Sequence, residues 1–299
     1  MNHECKIRFL SPPAPQRLLV EVLLAPLLAM CFSDRAMAQC NPSDIHDLLQ
    51  RATVVMRSDW NAFPEFAYTE RDSETSKQAT RVTTDRVFMI EGSDYYMRIA
   101  DDDKPYTAEQ LAQEHEKLRE EVYRRNHETE GQRRRRPARY WKERNQTGIL
   151  LEEYVKAFDF TVVGEEVING YSACVLDARP RPGYRPPNRE AKILTGMQGR
   201  LWIENHDFHW VKAEAEVLKP VSILGLAVRV LPGTQMELQM APVNPSLWLV
   251  SSFTVSVKAS IVWMSTERSE VTSWSEYQSA AAALTDELAR QLPAADHLR

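Results

Sequence analysis

The sequence has no glycine-rich phosphate loop, no Gly-x-Ser-x-Gly elbow and no Cys-x-x-Cys pair. The first absence removes the usual backbone cradle for a nucleotide phosphate. The second removes the strained turn that presents the serine of one large hydrolase class. The third removes a dithiol redox motif. Ser, His and Asp are present, but a triad is recognised by geometry and nothing in their spacing marks one. His206 and His209 are three apart around Asp207. In a hairpin this puts His209 on an apolar strand face and His206 in the turn, so no metal site is expected. Neither an enzyme nor a cofactor is expected. Positive charge is also in short supply: 37 Lys and Arg stand against 42 Asp and Glu, a net of -5. That balance gives solubility and no general attraction to nucleic acid. Past residue 32 no apolar run reaches the roughly 20 residues of a membrane helix. The longest, residues 221–231, contains Arg229.

What is present begins with a leader pattern. Lys6, Arg8 and Arg17 precede an apolar run over residues 18–32, and Ala36-Met37-Ala38 puts small residues where a signal peptidase reads. Cleavage is expected before Gln39. A lipid anchor on Cys31, or a retained anchor, are the alternatives; Met30 is large for the position before a lipidated Cys, and Glu21 and Pro26 interrupt the run. Removing residues 1–38 takes away four basic and three acidic residues and leaves 33 Lys and Arg against 39 Asp and Glu. Cys40 and Cys174 remain. An oxidising compartment permits a disulfide between them; the other reading is two unrelated thiols, with Cys174 buried in a strand.

The mature chain alternates two periods. Ser43 or Asp44 can cap a helix whose stripe is Ile45, Leu48, Leu49, Ala52 and Val55 or Met56, ending before Pro64. Three strands are expected over 65–74, 79–91 and 94–100, with a turn at residues 91–94. Thr107 and Gln110 fit a capping box for a highly charged helix to about residue 126. Residues 127–147 are basic, include four consecutive arginines at 133–136, and contain Gly131 and Pro137. They are expected to be mobile, because such composition buries too little to offset ordering. A short apolar helix over 149–158 returns the chain to the domain. Asn169-Gly170 then marks a tight hairpin between strands at 160–166 and 171–178. Further strands are expected at 201–203, 208–217, 234–240, 253–263 and 270–277, followed by a loose or peripheral helix from residue 280. The fold class is therefore mainly β (α+β): a curved antiparallel sheet or incomplete barrel with helices against its concave face. One domain spans 39–279, with a charged helical insertion at 107–147 and a C-terminal tail at 280–299.

This order resembles the bacterial lipoprotein-carrier superfamily, the LolA/LolB-like fold, and in particular its outer-membrane lipoprotein-sorting proteins. The residues that carry the resemblance are Phe158-Asp159-Phe160, Val163-Gly164-Glu165-Glu166, Val167-Ile168-Asn169-Gly170-Tyr171, Gly199-Arg200-Leu201-Trp202-Ile203-Glu204 and Trp210-Val211-Lys212-Ala213-Glu214. It covers roughly residues 40–278, and the insertion is longer than in compact carriers. It implies an incomplete barrel with an apolar cavity for acyl chains. Met236, Leu238, Met240, Val257 and Ile261 are the residues expected to line it, methionine suiting variable apolar ligands; a filled core is the alternative for each. The expected function is a periplasmic carrier of lipid or lipoprotein acyl chains, with a membrane partner also possible, no nucleic acid, and a monomeric state. The alternatives are an envelope regulatory or structural protein with a filled core, or a hydrolase.

Overall fold

The computed structural model describes residue 40 and residues 45–77, 79–222, 228–261 and 264–290. The leader, Gln39, the capping residues Ser43 and Asp44, Trp263 and residues 291–299 lie outside them. Ile45–Ala62 forms α1, and its stripe buries Ala52 and Met56. Phe66–Ser76 (β1), Thr80–Ile90 (β2) and Ser93–Asp101 (β3) form a meander, and Lys104–Pro105 (β4) adds a short edge. Glu91 and Gly92 both take positive φ between β2 and β3, as the tight turn requires. Ala108–Asn126 (α2) starts on the expected Thr107–Gln110 capping box.

The segment expected to be mobile is instead helical. Glu130–Ala157 forms one helix, α3, which contains Pro137 and absorbs the short helix expected at 149–158. Thr129 and Gln132 make a second capping box at its start. Two arginines, Arg136 of this segment and Arg125 of α2, find acceptors in the fold, while Arg133, Arg134 and Arg135 stay exposed. Arg136 bonds Glu128, the carbonyls of Ile90 and Glu91, and Ser93 Oγ. Arg125, 5% exposed, donates to the carbonyls of Ile90, Ser93 and Asp94. Composition overstated the cost of ordering, because the β2–β3 turn supplies carbonyl oxygens for these guanidinium groups.

Phe158–Ile168 (β5), Tyr171–Pro180 (β6), Met197–Glu204 (β7), Trp210–Val217 (β8), Val221–Ser222 (β9), Val228–Val230 (β10), Gln235–Asn244 (β11), Leu247–Ile261 (β12) and Met264–Ser279 (β13) complete the strands, and Ala280–Ala289 forms α4. The thirteen-stranded sheet is antiparallel in every pairing and runs β4-β3-β2-β1-β13-β12-β11-β8-β7-β6-β5, with β9 and β10 attached at β12. It is open: among the described residues the main path ends at β4 and β5. Cys40 is disulfide-bonded to Cys174 of β6, with 5.4 Å between their Cα atoms.

Helices cover both sides of this sheet. On the α1 side, Leu176, Leu201, Ile203, Trp210 and Val217 pack with Met56 of α1 and Tyr154 and Ala157 of α3. On the other side, Leu118 of α2 and Ala283 of α4 pack against Ala67, Phe88 and Met97. The register explains the division, since Tyr68 pairs with Val87 on the first side and Phe88 with Tyr95 on the second. The C-terminal helix is therefore held by core contacts of its own.

Candidate functional site

Along β11 and β12 the apolar residues alternate toward the α1 side. Leu238 stands opposite Ala213 of β8 and Phe253 of β12, and Met236 opposite Ala215 and Val255. Because Ala213 and Leu201 are themselves paired in the α1-side core, these residues continue that core's surface. They do not continue its burial: Met236, Leu238, Phe253, Val255 and Val257 are all only half-buried. Phe253 and Val255 belong to this strip although they were not among the expected lining residues; the same two-residue alternation identifies them.

The other expected residues fall differently. The alternation breaks at a bulge between Gln239 and Met240, so Met240 touches both the α1-side core and a cluster of Val175, Trp202, Val211 and Trp248. Val257 is opposite Arg268 of β13. Ile261 ends β12 opposite Val228 and Met264, and its side chain is outside the described residues.

The strip has an abrupt polar border. Phe253, Val255 and Val257 face Thr272, Glu270 and Arg268 across the β12–β13 ladder. Beyond β13, Asp72 accepts from Thr272 Oγ1 at 2.9 Å and Glu74 pairs with Arg268. Glu70 accepts from Trp274 Nε1 at 2.8 Å. Burial first, then the nearby charges of Asp85, Asp72 and Asp94, push the Glu70 carboxyl up to about 7 against the opposing bond from Trp274. An apolar ribbon two strands wide thus lies beside a polar wall, an arrangement that matches an amphiphile.

The opposite side of the same strands is polar. A groove of about 590 Å³ crosses β6, β7, β8, β11 and β12, and Met236 of the expected residues contributes to its lining. Asp177 pairs with Arg200 at 2.8 Å, and Lys212 reaches Glu214 at 2.5 Å and Glu237 at 3.1 Å. Burial alone would lower the Lys212 ammonium; the bonds from Glu214 and Glu237 outweigh it and hold it above its ordinary value. These groups satisfy one another, and the groove's lining is mostly polar, with Ala178, Ala215 and Met236 as its apolar members.

Asp59 and His209 form a buried pair that sequence patterning did not reveal. Asp59 Oδ2 lies 2.7 Å from His209 Nδ1, Asp59 Oδ1 accepts from the Trp248 backbone at 3.4 Å, and both side chains are nearly inaccessible. The His209 ring stacks on Trp248 at 5.4 Å. The pair joins α1 to the starts of β8 and β12.

No family model and no curated protein matches the chain. Among solved structures it is similar to a LolA superfamily protein from Nitrosomonas europaea, at 10% identity and a TM-score of 0.30 over 78% of this chain and 92% of that one. It is similar to a putative outer membrane lipoprotein-sorting protein domain from Vibrio parahaemolyticus, at 12% identity and a TM-score of 0.32 over 77% and 91%. A complex of Pseudomonas aeruginosa MucA and MucB matches at 11% identity and a TM-score of 0.24 over 81% and 96%.

Proposed function

We propose that this chain is an exported, periplasmic binding or carrier protein that holds a lipid or lipoprotein acyl chain non-covalently on the α1 side of β11 and β12. One observation carries the reading: the half-buried apolar strip of Met236, Leu238, Phe253, Val255 and Val257 beside a polar wall. Each methylene transferred from water onto such a strip contributes about 0.8 kcal/mol. A chain of ten buried methylenes therefore has about 8 kcal/mol of gross driving force, from which the ordering cost of binding is subtracted. The polar wall gives the head of an amphiphile hydrogen-bonding partners without requiring any covalent step.

Leu238→Glu tests this. The change sets a carboxylate where chain methylenes would lie, and an unpaired carboxylate in apolar surroundings is costly. Displacement of a fluorescent fatty acid should be abolished while the circular dichroism spectrum stays that of the parent. A folded variant that binds fatty acid as tightly as the parent removes this strip from the site. Outright unfolding would instead favour the envelope regulatory or structural reading, in which the strip is part of a filled core.

A further inference from the structure

The helix α3 has a solvent face that its docking does not use. Its inward side is taken up by Arg136, Tyr140, Arg144 and Tyr154. At 100° per residue, Arg134, Arg135, Trp141, Lys142 and Ile149 project together from the other side. Trp141 and Ile149 are each 40% exposed. Arg134, Arg135 and Lys142 are exposed there, with Arg139 at the edge of the face, and the nearby carboxylates are those of Glu130 and Glu143. Arg134 pairs with Glu130 and Arg139 with Glu143, so the unbalanced charge on this face is that of Arg135 and Lys142. Among the described residues no carboxylate pairs with Arg135 or Lys142.

We infer that this face of α3 docks the protein on an anionic lipid bilayer. Charge complementarity carries the choice of occupant. The chain as a whole is acidic, with a net charge of -5, so a surplus of cations on one exposed helix face is a local feature set against the rest of the surface. Lys and Arg near an anionic leaflet are each attracted by an amount that multiplies affinity several-fold and is screened by salt. An indole beside them prefers the boundary between headgroups and acyl chains, having an apolar ring and one N–H donor. A flat bilayer requires only such a face, with no shaped pocket. Docked there, the protein would meet the membrane through α3 while its strip on β11 and β12 remains a separate surface; the inference does not depend on what that strip holds.

The test uses the purified exported protein and sedimentation with two kinds of vesicle, phosphatidylcholine alone and an equimolar mixture with phosphatidylglycerol. The protein should sediment with the mixture at low salt, be released as salt is raised, and stay in solution with phosphatidylcholine alone. The double substitution Arg135→Gln with Lys142→Gln should weaken partitioning about thirtyfold, the product of two such attractions, while leaving circular dichroism and fatty-acid displacement unchanged. Trp141→Ala should weaken partitioning at every salt concentration. Equal binding to both vesicles, no binding to either, or a folded double variant that partitions like the parent would overturn the inference. Absence of vesicle binding would also turn attention to an acidic protein as the occupant.

Discussion

At the scale of single residues, the chain places charge where burial makes it expensive and then satisfies most of it. Asp59 and His209 satisfy each other; Arg125 is satisfied by carbonyls. Glu70 is the exception with a measurable consequence. Its folded-state value of about 7 lies above the 4.5 of an exposed glutamate, so the folded protein holds this proton where the unfolded chain has released it. The contribution is fully present below pH 4.5 and is lost as pH rises toward 7. Glu70→Gln keeps an acceptor for Trp274 and removes the charge. Its melting temperature should match the parent's near pH 4 and exceed it by a few degrees at pH 8. A difference between the two proteins that does not change with pH would show that Glu70 titrates normally.

At the scale of elements, α3 shows how a polar helix is fixed. It begins on a capping box, crosses Pro137, and is tied to the β2–β3 turn by Arg136. Farther along, Arg144 is held against Trp60, with its guanidinium 4.1 Å from the Trp60 ring centre. The basic run at 133–136 should therefore resist limited trypsin digestion in the native protein, because a helix must open locally before a protease can bind it. Arg136→Ala removes bonds to Glu128 and to the turn. It should speed cleavage after Arg133, Arg134 and Arg135 at least several-fold, with the rest of the pattern unchanged. Cleavage of the parent at this run as fast as the variant would mean that these bonds do not secure the helix.

At the scale of the molecule, the disulfide closes a long loop. Cys40 and Cys174 are 134 residues apart, and the bond ties the start of the described chain to β6. Constraining a loop of that size in the unfolded state is worth about 2–5 kcal/mol. Cys40→Ser with Cys174→Ser should lower the denaturant midpoint by a corresponding amount without changing the strand content seen by circular dichroism. A midpoint equal to that of the oxidised parent would show that the link adds nothing to stability.

Much of this architecture was readable from residue order, for reasons that are local. Alternation in β1–β3, β8 and β11–β12, the turns at Glu91-Gly92 and Asn169-Gly170, and the Thr107–Gln110 cap each depend on neighbours within a few residues, which is the range over which periodicity and turn chemistry operate. The side of β11 that carries Met236 and Leu238 was likewise set by the two-residue repeat. Tertiary structure decided what depended on distant partners. Residues 127–147 read as mobile charge, but the β2–β3 turn supplies acceptors that anchor Arg136, and the Cys40–Cys174 bond and the Asp59–His209 pair join positions 134 and 150 residues apart. The bulge at Gln239/Met240 broke an alternation that the sequence carries without interruption, and the polar wall beside Phe253 and Val255 arose only because β13 pairs with both β12 and β1. Local pattern determines which face of an element is apolar; only the folded chain determines whether that face is sealed, bordered by charge, or left half open.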